Sequence, residues 1–189
     1  MTSITPLSLS RPLDELAAHR WALAFAGQAT PWRAALYEAA ETPRLKTAVD
    51  SALRESSTLL APVLPELDRI TGGKLNLWDN PAPQAFASVP GILAAQFAAL
   101  IDFTSTHQDL NPHAILGHSQ GLLAAELARK LLGSATGAGQ PPQPATTAPE
   151  SRAGIETAAS FLACARLIGA AATAATRRHC AGVPNPRRR

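Results

Sequence analysis

The stretch Gly117-His118-Ser119-Gln120-Gly121 has the residue types and spacing best suited to chemistry in this chain. A serine framed by glycines in a G-x-S-x-G pattern can be pushed out of a very tight strand-to-helix turn, with the glycines leaving room for neighbouring backbone. Its hydroxyl is then a candidate nucleophile for acyl transfer through a covalent ester. At a helix start it also faces free backbone N–H groups and the positive helix end, which favour negative charge developing on a reacting carbonyl. The N–H of Gln120, directly after the serine, is one such donor. The pentapeptide alone equally fits a glycine-rich turn whose serine only caps a helix, so the flanking sequence has to decide.

A serine hydroxyl needs a neighbouring base at neutral pH. The chain has five histidines, His19, His107, His113, His118 and His179. His118 belongs to the motif, and its side chain diverges from Ser119 at such a turn. His113 begins the preceding strand, at the wrong end. His107 falls in a loop, His19 near the N-terminus and His179 after the last helix. Each reads as a surface or packing histidine. Cys164 and Cys180 form no CxxC pair and cannot by themselves build a zinc site or a disulfide framework. No metal is expected.

The elements that must position Ser119 follow from apolar patterning. Trp21 to Ala26 is a compact apolar run ending at Gly27, as a buried strand would be. The pattern turns helical from Pro31, and Thr42-Pro43 reads as an N-cap and first helical residue. Leu45, Val49, Leu53, Ser56 and Leu60 then share a face, with Arg44, Lys46 and Arg54 on the wet side. Gly72, Gly73, Asn80, Pro81 and Pro83 mark a loop region around Leu75 to Trp78. Ser88 and Pro90 open another helix, with a stripe of Ile92, Leu93, Phe97, Leu100 and Ile101. His113 to Leu116 is a second short strand, stopping at Gly117. The helix after it carries Leu123, Leu127 and Leu131 on one face, and Glu126 and Lys130 at a pairing distance of four residues.

These signals predict an α/β fold, a short parallel sheet flanked by helices. Residues 1–19 form a loose N-terminal segment and residues 20–132 the core. Residues 133–151, rich in Pro, Ala and Gly, are a linker or insertion. Residues 152–180 continue the core as helix, and 181–189 are a basic tail.

At 189 residues, with 46% hydrophobic and 16% charged, the chain can bury a core and is not a wholly disordered protein. Its start lacks the basic and apolar regions of a secretion signal. The most apolar runs, Val89 to Ile101 and Ala158 to Thr176, are interrupted by Gln96 and Arg166, short of the ~18–20 residues that cross a bilayer. A soluble cytoplasmic protein without a membrane partner is expected. The net charge of +3 includes the closing Arg187, Arg188 and Arg189, and no nucleic-acid partner is expected from it.

The GHSQG motif, preceded by HAIL and followed by LLAAELARKLL, resembles the acetyltransferase (acyltransferase) domain of bacterial and fungal type I fatty acid synthases, of the malonyl/acetyl-CoA:acyl-carrier-protein transacylase superfamily. Phe25 to Ala29 resembles that family's G-Q-G loop, with Ala29 in place of the second glycine. Phe161 to Arg178 resembles the helix that follows its nucleophile helix. The likeness covers roughly residues 20–132 and 155–180, and the Pro-rich insert departs from it.

The resemblance implies that Ser119 takes an acetyl group from acetyl-CoA and passes it to the phosphopantetheine thiol of an acyl carrier protein, in fatty acid biosynthesis. It implies no bound cofactor, and other fatty acid synthase domains or chains as further partners. Gln28 would lie opposite Ser119, its backbone N–H joining that of Gln120 in an oxyanion hole. Malonyl-using relatives carry an arginine on the later helix, where this chain has Gly169, so an uncharged acyl group is favoured. Arg166, one turn earlier, is read as a solvated surface residue. The family's catalytic histidine lies far downstream, beyond an inserted subdomain with no counterpart here. The resemblance therefore implies an N-terminal fragment of such a domain, inactive by itself, with an incomplete transacylase-like or α/β-hydrolase-like core whose apolar edges a full domain would cover, and either marginally stable or in need of a partner chain. The alternatives are a serine esterase or thioesterase of α/β-hydrolase type, and a non-catalytic interaction module.

Overall fold

Two short apolar runs from distant parts of the chain meet as a parallel pair. In the computed structural model, which describes residues 21–27, 31–78, 85–107, 112–132 and 148–181, strand β1 (Ala22–Phe25) lies beside β2 (Ala114–Gly117). Ala22 is opposite Ala114 and Phe25 opposite Gly117. Parallel strands cannot be joined by a tight turn and need a long crossover. Four helices supply it: α1 (Trp32–Ala40), α2 (Pro43–Leu59), α3 (Leu64–Thr71) and α4 (Ala85–Thr106). Beyond β2 come α5 (Gly121–Leu132) and α6 (Arg152–Ala181). The described residues are thus mostly helical, with a small two-stranded parallel sheet that is loosely compatible with the expected short sheet flanked by helices. Segment 1–19, linker residues 133–147 and tail residues 182–189 lie outside the described residues, as do Gln28 and Ala29.

Local sequence explains most of the helix boundaries. Thr42 stands at the N-cap of α2 and Pro43 in its first turn, as the spacing predicts, although the Thr42 side chain makes no capping bond. Leu45, Val49 and Ser56 of α2 are buried, and so is Leu60 just beyond its end. Helix α3 is not apparent from apolar spacing. It closes on Gly72, whose φ of 85° is the left-handed conformation that glycine adopts without steric cost. Helix α6 starts after Ser151, whose hydroxyl accepts the Gly154 N–H at 3.1 Å.

Two expectations need correction here. Helix α4 does not open at Ser88 and Pro90. It begins at Ala85 and carries Pro90 inside. Pro90 has no N–H to give the Phe86 carbonyl one turn back, and α6 packs tightly against the backbone of that same residue. A Cβ on Gly169 would lie 2.8 Å from both the Cα and the carbonyl oxygen of Phe86. Glu126 also pairs with Arg129, at 3.1 Å, rather than with Lys130.

The core is built around α4 and α6. Helix α2 packs on α6, α1 on α4, and α5 on both strands. The α4 stripe of Ile92, Leu93, Phe97, Leu100 and Ile101 is buried as its spacing requires, alongside Leu127, Leu131 and Leu162. Each such side chain contributes on the order of 1.5–3 kcal/mol of burial. By length and composition Phe86–Thr106 and Arg152–His179 could each cross a membrane, despite Gln96 and Arg166. In the α4 window 78% is buried inside the protein, the setting of a core helix. The strands alternate: Leu23, Phe25 and Ile115 face the core, while Ala22, Ala24, Ala114 and Leu116 are exposed.

Candidate functional site

Ser119 stands between the end of β2 and the start of α5 with a φ of 54°, the sole positive φ at a non-glycine among the described residues. An L-residue in this region pays roughly 1–2 kcal/mol in clashes between its Cβ and the backbone. The surroundings hold it there. Gly121 N–H donates to the His118 carbonyl at 2.9 Å and Leu122 N–H to the Ser119 carbonyl at 3.1 Å. On the upstream side, His118 N–H donates to the Phe25 carbonyl at 3.1 Å, tying the corner to β1. Ser119 and His118 are exposed and Gln120 is half-buried.

The glycines are there because backbones interlock. A Cβ on Gly121 would strike the Phe25 carbonyl and come within 2.8 Å of that of Ala26. One on Gly117 would strike the first turn of α5. Gly27, which precedes Gln28, closes the arrangement from the β1 side. A Cβ there would lie 2.5 Å from the His118 carbonyl and 2.9 Å from the Ser119 Cβ. Three segments distant or adjacent in sequence thus converge on one serine: the end of β1, the corner itself and the first turn of α5.

Two polar side chains secure this corner that sequence reasoning did not single out. Arg129 of α5 donates to the Ile115 carbonyl at 2.6 Å while holding Glu126, which fixes the helix to β2. Gln96 of α4, which in the sequence merely interrupts an apolar run, donates from Nε2 to the Ala26 carbonyl at 2.6 Å. The amide oxygen of Gln96, and that of Gln120, are buried with no hydrogen-bond partner. A polar residue within an apolar helical stripe was the available signal. Leu116 and Leu122 flank the corner with exposed apolar surface.

Among the described residues no side chain hydrogen-bonds the Ser119 hydroxyl. The His107 ring packs against Phe103, with centroids 5.2 Å apart. His113 is exposed at the far end of β2, its N–H on the Trp21 carbonyl at 2.9 Å. His179 is exposed on the last turn of α6. His19 lies outside the described residues. Among the described residues no group of three or more His, Cys, Asp and Glu could hold a metal ion, and Cys164 is a free, exposed thiol.

Arg166 is not the solvated surface residue its spacing suggested. It is half-buried, and its Nη1 donates to the Ser57 hydroxyl at 2.8 Å and the Ser56 hydroxyl at 3.2 Å, joining α6 to α2. Burial pushes its guanidinium below the ordinary arginine value, and nearby Asp68 opposes that shift. It lines a small cavity with Asp68, Phe86 and Ala170. Gly169 has a packing reason of its own, since any side chain there would run into the Phe86 backbone.

What the geometry defines is a class of arrangement: a strained, exposed serine on a strand-to-helix corner, where the N–H groups of Gly121, Leu122 and Leu123 donate to the carbonyls of His118, Ser119 and Gln120. No family model matches the chain, and neither a curated protein nor a solved structure matches it.

Proposed function

We propose that the protein is an acyl-transfer module in which Ser119 carries the acyl group. The observation that supports this reading most directly is the left-handed backbone of Ser119 at an exposed corner into which Gly27 packs without a side chain. A helix cap would need neither the strain nor the exposure. In the reading, Ser119 Oγ attacks the thioester carbonyl of acetyl-CoA, the tetrahedral oxyanion is held by the N–H groups of Gln120 and Gln28, and the coenzyme A thiolate leaves with a proton. The phosphopantetheine thiol of a carrier protein then attacks the acetyl-serine ester and takes the acetyl group. One oxyanion donor is worth ~10²–10³ in rate. Leu116 and Leu122 offer apolar surface for the arm of the incoming thioester.

On the same reading β1, β2 and α5 are the nucleophile-bearing corner of a transacylase-type core, and the reaction serves fatty acid synthesis in the cytoplasm. The base is a group brought from elsewhere, from undescribed residues or a partner chain. The test is to incubate the protein with acetyl-CoA or malonyl-CoA and read Ser119 by mass spectrometry, with Ser119→Ala as control. An acetyl ester that persists in water and discharges to a carrier thiol supports the proposal. Rapid hydrolysis of the ester points instead to an esterase, and absence of any ester overturns both.

A further inference from the structure

We propose that α6 is a self-association surface, on which a second copy of the chain packs antiparallel about a two-fold axis between Leu167 and Ile168. Helix α6 runs for 30 residues, and its two sides differ. One side is pressed into the protein, with Ala158, Leu162 and Ala165 fully buried and Gly169 against the Phe86 backbone. On the other, Glu156, Ser160, Cys164, Leu167, Ala171 and Arg178 recur at steps of three, four or seven residues, the spacing of one helix face, and all six are exposed. Leu167 and Ile168 are 42% and 47% exposed. Half of the apolar window of α6 is buried, 50% against 78% for α4.

The make-up of this face identifies its occupant. It carries an acid near one end, a base near the other and uncharged residues between, so it complements itself when turned end over end. That is the requirement of an isologous two-fold contact. Each Leu167 then meets Ile168 of the other copy, Cys164 meets Ala171 and Ser160 meets Ala175, small residues that let the two backbones approach closely. Glu156 of each copy lies beside Arg178 of the other, in two ion pairs about 33 Å apart along the helices. Parallel pairing would instead set Glu156 on Glu156 and Arg178 on Arg178, a like-charge penalty. Both charges face solvent. Glu156 holds Arg152 in an exposed pair within the helix at 2.8 Å, and Arg178 donates from Nε to the Ala174 carbonyl of its own helix at 3.4 Å. Neighbouring Arg177, by contrast, is committed to the Ile70 and Thr71 carbonyls of α3. Two large apolar side chains per copy make a narrow contact, below the ~1,200 Å² of stable complexes, so the dimer is weak and reversible.

The test is sedimentation velocity of the full-length chain, from a few to several hundred micromolar, beside Glu156→Arg, Arg178→Glu and the double reversal. The wild type should pass from monomer to dimer over that range. Each single reversal puts like charges together at both ends and should weaken dimerisation about 5- to 30-fold, and the double reversal should restore it to within about twofold. Restoration separates a broken contact from misfolding, which a second exposed charge change would not repair. In a Cys180→Ser background, Ala171→Cys should cross-link to Cys164 of the other copy on mild oxidation. Cys164 alone should not, since its two copies stand about 10 Å apart along the helices, beyond the ~7 Å reach of a disulfide. Cross-linking through Cys164 alone refutes the antiparallel pair. A chain that stays monomeric over the whole range leaves the face to a different partner and overturns the proposal, as does a dimer indifferent to both reversals.

Discussion

Replacing Ser119 by glycine should make the protein more stable while removing the proposed nucleophile. The left-handed φ of 54° costs an L-residue about 1–2 kcal/mol. Glycine relieves that cost but gives the unfolded chain more freedom, worth roughly 0.5–1 kcal/mol. The net expectation for Ser119→Gly is a gain of about 0.5–1 kcal/mol. Ser119→Ala removes the hydroxyl and keeps the Cβ. Ser119 is exposed, so stability should change by less than about 0.5 kcal/mol. The glycine–alanine difference therefore reports the strain net of glycine's extra freedom in the unfolded chain, about 0.5–1 kcal/mol, or roughly 1–4 °C in melting temperature for a chain of this size. Urea unfolding of the two variants and the wild type, followed by far-ultraviolet circular dichroism, measures it. Both variants must also lose acylation by acetyl-CoA. If Ser119→Gly is no more stable than Ser119→Ala, the corner is not strained and the argument from backbone geometry to nucleophile fails.

Other substitutions probe the supports of the corner and the helices. Gly27→Ala should cost about 1–3 kcal/mol by overpacking against the His118 carbonyl, read in urea melts, and should slow any acylation with it. Arg166→Met gives up the bonds to Ser56 and Ser57 but also relieves a partly desolvated charge; its melt should stay within about 1 kcal/mol of wild type. Ser151→Ala removes a capping acceptor and should cost ~1 kcal/mol. Thr42→Ala, where the side chain makes no capping bond, should change stability by less than half as much in the same assay.

The sequence was legible where periodicity and chain chemistry act locally. The run Trp21–Ala26 contains β1, His113–Leu116 covers β2 except for its last residue, and the buried stripe of α4 follows its spacing. The turn at Ser119 was readable because glycines at fixed offsets leave few other shapes. Features set by tertiary approach were not. Pro90 reads as a helix start, yet the helix runs through it, and no local spacing reveals the close approach of Gly169 to the Phe86 backbone one turn before it. Arg166 looks solvated by spacing alone, because nothing local reveals that α2 brings two hydroxyls to it. Gln96 reads as a blemish in an apolar run until its amide is seen on the Ala26 carbonyl. Glu126 has cations three and four residues on, and spacing alone does not choose between them.

The pairing of β1 with β2 also has a kinetic side. The two strands are separated by the whole run of α1 to α4, so bringing them together closes a very long loop, whereas the helices can gather from near neighbours. The bend at Ser119 leans on Phe25 and Gly27, both delivered by the earlier strand. A nascent chain therefore leaves Ser119 without its left-handed bend until that distant segment packs against it, and partial unravelling of the sheet releases the bend again while the helices persist.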